Sequence, residues 1–310
     1  MWVALLATVS LLAAAGLAGA SSAGASRQSG LIRVEQHLVP DARGRPHPLL
    51  LTLGGPVYCM QLGNLARHLG ASLVCADYGK NGYEGVGGRA ARLEDWGDPA
   101  YLTAAAKLPE RLRRSGVKIS KLLVVGVSYS GYANAELVAT HPEMRSDALV
   151  VVDSYLDLPA RFRALPLGHE TRKEIVTALG GTPETVPDLY AARSPSNHLD
   201  GLVAAIRAGM RFVDVWSVSD GERREFRGAT CSLTANATWL AALASKLGRP
   251  VTGYVTQMRH AHALWDRGMG LMQLAGSPNS GKPLDAKAVT FQPGAPAPAG
   301  SYCPSVPAAS

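Results

Sequence analysis

Lys121–His141 reads KLLVVGVSYSGYANAELVATH, and the order of its three parts decides the class of fold. Residues 122–127 are an apolar run of strand length, suited to a strand covered on both faces. Gly126-Val127-Ser128-Tyr129-Ser130-Gly131 follows, and 129–140 is an Ala-rich segment of helix length. Strand, sharp turn and helix in that order make an elbow that holds a serine hydroxyl clear of the backbone. Such a strained turn needs small residues two places either side of the serine, and Gly126 and Ser130 supply them. Ser128 is the expected nucleophile; a hydroxyl that only caps the helix is the plainer alternative.

Outward from this segment, apolar runs of strand length recur at 31–39, 48–54, 72–78, 148–153, 211–218 and 251–258. Helix candidates lie between them at 60–69, 99–115, 129–140 and 232–247. The alternation predicts an α/β fold: a mostly parallel central sheet with helices on both faces. The interval 154–200, with Pro159, Pro166, Gly180, Gly181 and Pro183, is too long for a plain connection and is expected to form a small helical cap. The expected organisation is a signal segment at 1–20, an N-terminal segment at 21–47, the catalytic domain at 48–277 and a Pro/Ala/Gly-rich tail at 278–310.

With 310 residues, 47% of them hydrophobic and 18% charged, the chain can bury a full core and is not of disordered composition. The formal charge of +7 is spread in short groups such as Arg111, Arg113 and Arg114, without the basic stripe that nucleic acid requires. Residues 2–20 are apolar and uncharged and end in Ala18-Gly19-Ala20, which reads as a cleaved secretory signal; a retained anchor is the alternative. The expected place of work is extracellular or periplasmic, with no stable membrane insertion once the signal is cut. Cys59, Cys75, Cys231 and Cys303 are an even set, so disulfides are expected, with three connectivities open. In one of them Cys59–Cys75 joins neighbouring segments and Cys231–Cys303 pins the tail.

A serine nucleophile needs a base, an acid that orients it, and amide donors for the oxyanion. His260 and His262 follow the last strand run, and His260, the first past the strand end, is the expected base, with His262 as the alternative. The acid belongs in the loop after the penultimate strand, where Asp220 precedes Gly221; Asp153 is the fallback, and Asp214 lies inside a strand. One oxyanion donor is the Tyr129 amide. The other comes from Gly55 or Val57, because Pro56 has no N–H. The histidine spacings make no metal site, and no cofactor is implied.

Leu53-Gly54-Gly55-Pro56, the elbow through Tyr132, Ser194-Pro195-Ser196-Asn197-His198, Ser219-Asp220-Gly221 and His260 together resemble the α/β-hydrolase superfamily. In detail they are similar to the catalytic domains of prolyl-oligopeptidase and dipeptidyl-peptidase-like enzymes. That resemblance implies Ser128 as nucleophile, Asp220 as acid and His260 as base. Val127 and Ser130 stand where the family has glycine, and Asp220-Gly221-Glu222-Arg223-Arg224 lacks the family's Val-Pro. Residues 21–47 are too few for the propeller that selects short peptides, so peptidase activity does not follow from the likeness. The reading is a secreted serine hydrolase acting on a small-molecule ester. Its alternatives are a serine peptidase or amidase acting on a peptide, and a non-catalytic binding protein on the same fold.

Overall fold

The computed structural model describes residues 32–54, 56–78, 96–217, 232–277 and 281–296. Eight strands form one sheet: β1 (Ile32–His37), β2 (His47–Leu53), β3 (Ser72–Tyr78), β4 (Ile119–Val127), β5 (Ala148–Val152), β6 (Arg211–Ser217), β7 (Val251–Thr256) and β8 (Ala286–Phe291). Their order is β1-β3-β2-β4-β5-β6-β7-β8. The six inner strands run parallel, and β1 and β8 close the two edges antiparallel.

Near-continuous apolar runs become strands here because both faces are covered. Leu49, Leu51, Leu53, Val124, Leu149 and Val151 point into one apolar layer, while Leu50, Val125, Val150 and Val152 point into the other. On the first face lie α2 (Pro99–Ala106), α3 (Leu108–Arg114), α4 (Tyr129–Thr140), α8 (Leu199–Arg207) and α9 (Ser232–Leu247). On the second lie α1 (Pro56–Leu69), α10 (His262–Trp265) and α11 (Gly268–Leu274). The interval after β5 carries α5 (Leu158–Ala164), α6 (Glu170–Leu179) and α7 (Pro187–Ala192), so the expected cap is helical.

Three expectations need correction. The sheet extends past 48–277 at both ends, since β1 and β8 pair with it at 32–37 and 286–291. The helix expected over 99–115 breaks at Lys107, where Pro109 has no N–H to continue the α2 ladder. The first helix begins at Pro56 rather than residue 60, with the proline in the first turn, where a missing N–H costs nothing.

Cys59 of α1 is bonded to Cys75 of β3, which ties the start of α1 to the sheet. Cys231 and Cys303 lie outside the described residues. Among those residues no helix is long and apolar enough to cross a membrane. Helix α4 lies buried along most of its length and carries Glu136, whose carboxylate is 2.9 Å from Nδ1 of His198. Burial pushes the Glu136 carboxyl up, and the hydrogen bond that the His198 ring donates to Glu136 pushes His198 up. Close approach of α8 to α4 depends on Gly201, where a Cβ would fall 1.8 Å from the Ala139 carbonyl oxygen.

Candidate active site

β4 and α4 meet at Ser128, which has φ 55° and ψ −123°, a conformation costly for a residue with a side chain. Tertiary contacts hold it there. The Ser128 amide donates to the Val152 carbonyl at 2.9 Å, and Ser154 Oγ donates to the Ser128 carbonyl at 2.6 Å. The Ser130 hydroxyl is turned back into the bend, accepting from the Val127 amide at 2.8 Å and donating to the Val127 carbonyl at 3.0 Å. A Cβ on Gly126 would lie 2.5 Å from Asn134 Nδ2, so the first glycine is required as expected. Gly131 is required too, because a Cβ there would lie 2.1 Å from Ser154 Oγ. That second requirement comes from a residue of the next strand's loop and is invisible in the local motif.

Asp153 follows β5 directly, also with positive φ (51°), and is 3% exposed. Its Oδ1 accepts from the Ser217 amide at 2.6 Å. Its Oδ2 accepts from Ser217 Oγ at 2.9 Å and from the Ala261 amide at 2.7 Å. Ala261 has φ 66°, so the chain bends sharply just after His260. His260 Nδ1 lies 4.0 Å from Asp153 Oδ2. The carboxylate thus grips the backbone on one side of His260 and faces its ring.

A cavity of about 200 Å³ collects Ser128, Asp153 and His260 in one wall system with Tyr58, Trp96, Tyr129, Tyr132, Tyr155, Arg161 and Thr171. Trp96 packs edge-on to Tyr129 at 5.1 Å and tilted on Tyr132 at 5.5 Å, and Tyr58 lies 6.4 Å from Tyr129. Of the residues expected from sequence, Ser128, His260, Tyr129 and the fallback Asp153 come together here. His262 does not line this cavity: its Nδ1 is 2.7 Å from Asp266 Oδ2 and its ring packs on Trp265. Asp220 and Gly55 lie outside the described residues. Val57 falls in the first turn of α1, where backbone amides have no partner within the helix. Gly54, at φ 108°, permits the tight turn before it, and a Cβ there would meet the Tyr58 ring at 2.6 Å.

Asp214 of β6 is fully buried, within 3.4 Å of Asn236 Nδ2. Burial, and next to it the charge of Asp153, push its carboxyl well above the usual carboxylate range. Asn236 also donates to the Ser154 carbonyl at 2.8 Å and accepts from the Leu156 amide at 3.0 Å. It thereby secures the segment that leads from Asp153 to the cap. Sequence reasoning missed this clamp and the aromatic walls, since Tyr58, Trp96, Tyr132 and Tyr155 sit on separate segments with no shared motif. For metals, Glu35, His37 and Cys59 form the one grouping of ligand side chains among the described residues, and its sulfur is taken by the disulfide.

No protein-family profile matches this chain, and no curated protein does. Solved structures match in fold. A puromycin hydrolase S511A mutant complexed with PGG is 19% identical with a TM-score of 0.55, over 82% of this chain and 38% of its own. A Mycobacterium tuberculosis puromycin-hydrolyzing peptidase is 16% identical with a TM-score of 0.56, over 83% and 40%. A Pyrococcus horikoshii acylaminoacyl peptidase is 14% identical with a TM-score of 0.52, over 79% and 38%. The chain therefore spans about two fifths of the length of each of these structures. Its own fold is that of the α/β-hydrolases, as the motif resemblance implied.

Proposed function

We propose that this chain is a serine hydrolase that cleaves a small ester through an acyl-enzyme on Ser128. The observation that carries the reading is the cavity in which Ser128, His260 and Asp153 meet. Its volume, about 200 Å³, is below the roughly 300–1,000 Å³ of sites for drug-sized ligands, which supports a short acyl group.

In this mechanism Ser128 Oγ attacks the carbonyl carbon while its proton passes to Nε2 of His260. The Tyr129 amide and an amide at Gly55 or Val57 receive the oxyanion. Collapse breaks the bond to the leaving oxygen, which takes the proton from His260 and departs as the alcohol. Water then adds to the acyl carbon, giving a proton to His260. Collapse of this second intermediate frees the carboxylic acid and returns the proton to Ser128. Asp153, facing Nδ1, stabilises the imidazolium and fixes its loop; this assigns to Asp153 the acid role that the family likeness gives to Asp220.

Labelling of the purified protein with a fluorophosphonate, located by peptide mass spectrometry, tests the nucleophile. Labelling at Ser128, and a loss of at least about 10³-fold in ester turnover in a folded Ser128→Ala variant, are expected. A folded protein that neither labels nor turns over ester would instead be a binding protein on the hydrolase fold. The peptidase or amidase reading is favoured by the solved neighbours, several of which are peptidases. Turnover of aminoacyl anilides without turnover of nitrophenyl esters would put it first. The Cys59–Cys75 bond and the apolar segment 2–20 both support an oxidising, exported setting.

A further inference from the structure

We infer that the groove between β1 and α3 is a second binding site, one that takes a single-chain amphiphile with an anionic head, such as a medium-chain carboxylate. The inference is independent of the hydrolase reading, because the groove and the catalytic cavity share no lining residue. The groove encloses about 450 Å³, more than the catalytic cavity and within the roughly 300–1,000 Å³ of small-molecule sites. Its floor is apolar: Val34 of β1, Leu38 just after β1, Val74 of β3, and Leu108 and Leu112 one turn apart on α3. Val74, Leu108 and Leu112 are buried, while Val34 and Leu38 are only partly covered by the core they pack against. The described residues thus leave apolar surface uncovered at this edge of the sheet, where a ligand can bury it.

The charge at the rim has one sign. Arg43, from the turn between β1 and β2, and Arg111 and Arg114 of α3 line the groove, and among the described lining residues there is no aspartate or glutamate. Arg114 already holds Glu110, Nε to Oε1 at 3.0 Å, so its charge is offset. Arg43 and Arg111 are exposed and form no ion pair among the described residues. The nearby carboxylates are occupied, Asp41 by Arg45 at 2.8 Å and Glu35 by His37 at 2.6 Å. A cation at the end of α3 suits the helix dipole, which accounts for Arg111 but not for Arg43, since Arg43 arrives from a separate turn. It is carried over the end of α3, where a Cβ on Gly116 would lie 3.9 Å from Arg43 Cδ. The last carbonyls of α3 do not need these side chains: those of Arg111, Leu112 and Arg113 accept from the amides of Ser115, Val117 and Gly116. Two guanidinium forks above an apolar floor match a carboxylate joined to a hydrocarbon chain. An inorganic anion would leave the floor wet, and a neutral lipid would leave the arginines unused.

Equilibrium dialysis of the purified full chain against radiolabelled decanoate tests the site, with unlabelled decan-1-ol and decyltrimethylammonium as competitors. Saturable binding is expected, with decan-1-ol and the cation at least about tenfold poorer competitors than decanoate itself. Joint Arg43→Gln and Arg111→Gln substitution should weaken decanoate binding by at least about tenfold. Joint Arg113→Gln and Arg249→Gln substitution, the same loss of charge at exposed positions that do not line the groove, should leave it within about twofold. Protein whose Ser128 has been blocked with a fluorophosphonate should bind decanoate as the unblocked protein does. Absence of saturable binding, equal displacement by decan-1-ol, or binding that survives the Arg43 and Arg111 substitutions overturns the inference. Binding lost on blocking Ser128 also overturns it, by placing decanoate in the catalytic cavity. Cosedimentation with phosphatidylglycerol vesicles in the absence of decanoate binding makes the arginines a membrane contact and overturns it as well. The competition with decan-1-ol decides the matter in the wild-type protein even if the variants fail to fold.

Discussion

Replacing Asp153 by Asn separates the anchoring role that its hydrogen bonds show from the acid role proposed for it. In the wild type, Oδ1 takes the Ser217 amide, and Oδ2 takes the Ala261 amide and the Ser217 hydroxyl. Asparagine has one oxygen for these places. With that oxygen at the Oδ2 position, its amino group opposes the Ser217 N–H across what was a 2.6 Å contact. Turned the other way, it opposes the Ala261 N–H across 2.7 Å. Ser217 Oγ has a second acceptor, the Arg259 carbonyl at 3.1 Å, so the hydroxyl adapts and the backbone amide does not. One buried N–H is lost either way, a cost of about 1–3 kcal/mol. The first orientation leaves an oxygen facing His260, but a neutral one that cannot stabilise an imidazolium. Asp153→Asn is accordingly expected to lower kcat by about 10³–10⁴-fold, with a stability loss of only about 1–3 kcal/mol. Steady-state turnover of a nitrophenyl ester and urea unfolding read the two effects separately. If Asp153→Asn keeps kcat within tenfold while Asp220→Asn abolishes it, the acid is Asp220 and Asp153 is only the anchor of the His260 loop.

Gly131→Ala should destabilise by about 1–3 kcal/mol, because its Cβ would lie 2.1 Å from the Ser154 hydroxyl that holds the Ser128 carbonyl. Adding Ser154→Ala should recover part of that loss in a denaturant titration, and strict additivity of the two changes would refute the contact. Asp214 has a folded-state pKa raised by burial, so it contributes stability that is full below the ordinary carboxylate pKa of about 4 and is lost as pH rises toward the raised value. Asp214→Asn should therefore gain on the wild type as unfolding is measured from pH 4 upward, and a constant difference across that window would contradict the burial argument. Removing both Cys59 and Cys75 as alanines should cost about 3 kcal/mol, as expected for a crosslink spanning 16 residues. An unchanged unfolding midpoint would show that α1 needs no tether.

The strand, turn and helix around Ser128 were legible because each depends on neighbours along the chain. An apolar run reads as a covered strand, glycine marks the bend, and Ala-rich spacing marks the helix. The same local logic placed seven strands and α4 and located His260 beyond the last parallel strand. It missed β8, since Ala286–Phe291 alternates only weakly between Pro-rich stretches, and a single edge strand buries little to announce itself. It put the acid on Asp220, which lies outside the described residues, with Asp153 as the fallback; among the described residues Asp153 is the carboxylate that faces His260. Chain order does not foresee where Asp153 sits, because its place beside His260 depends on a loop 108 residues away returning the Ala261 amide to its Oδ2. The cavity walls follow the same rule. Tyr58, Trp96, Tyr155 and Arg161 become neighbours only when α1, the segment before α2, the loop after β5 and α5 close over the sheet. Local periodicity determined the scaffold and the bend at Ser128, while the packing of distant segments decided which carboxylate faces His260 among the described residues and which side chains line the cavity.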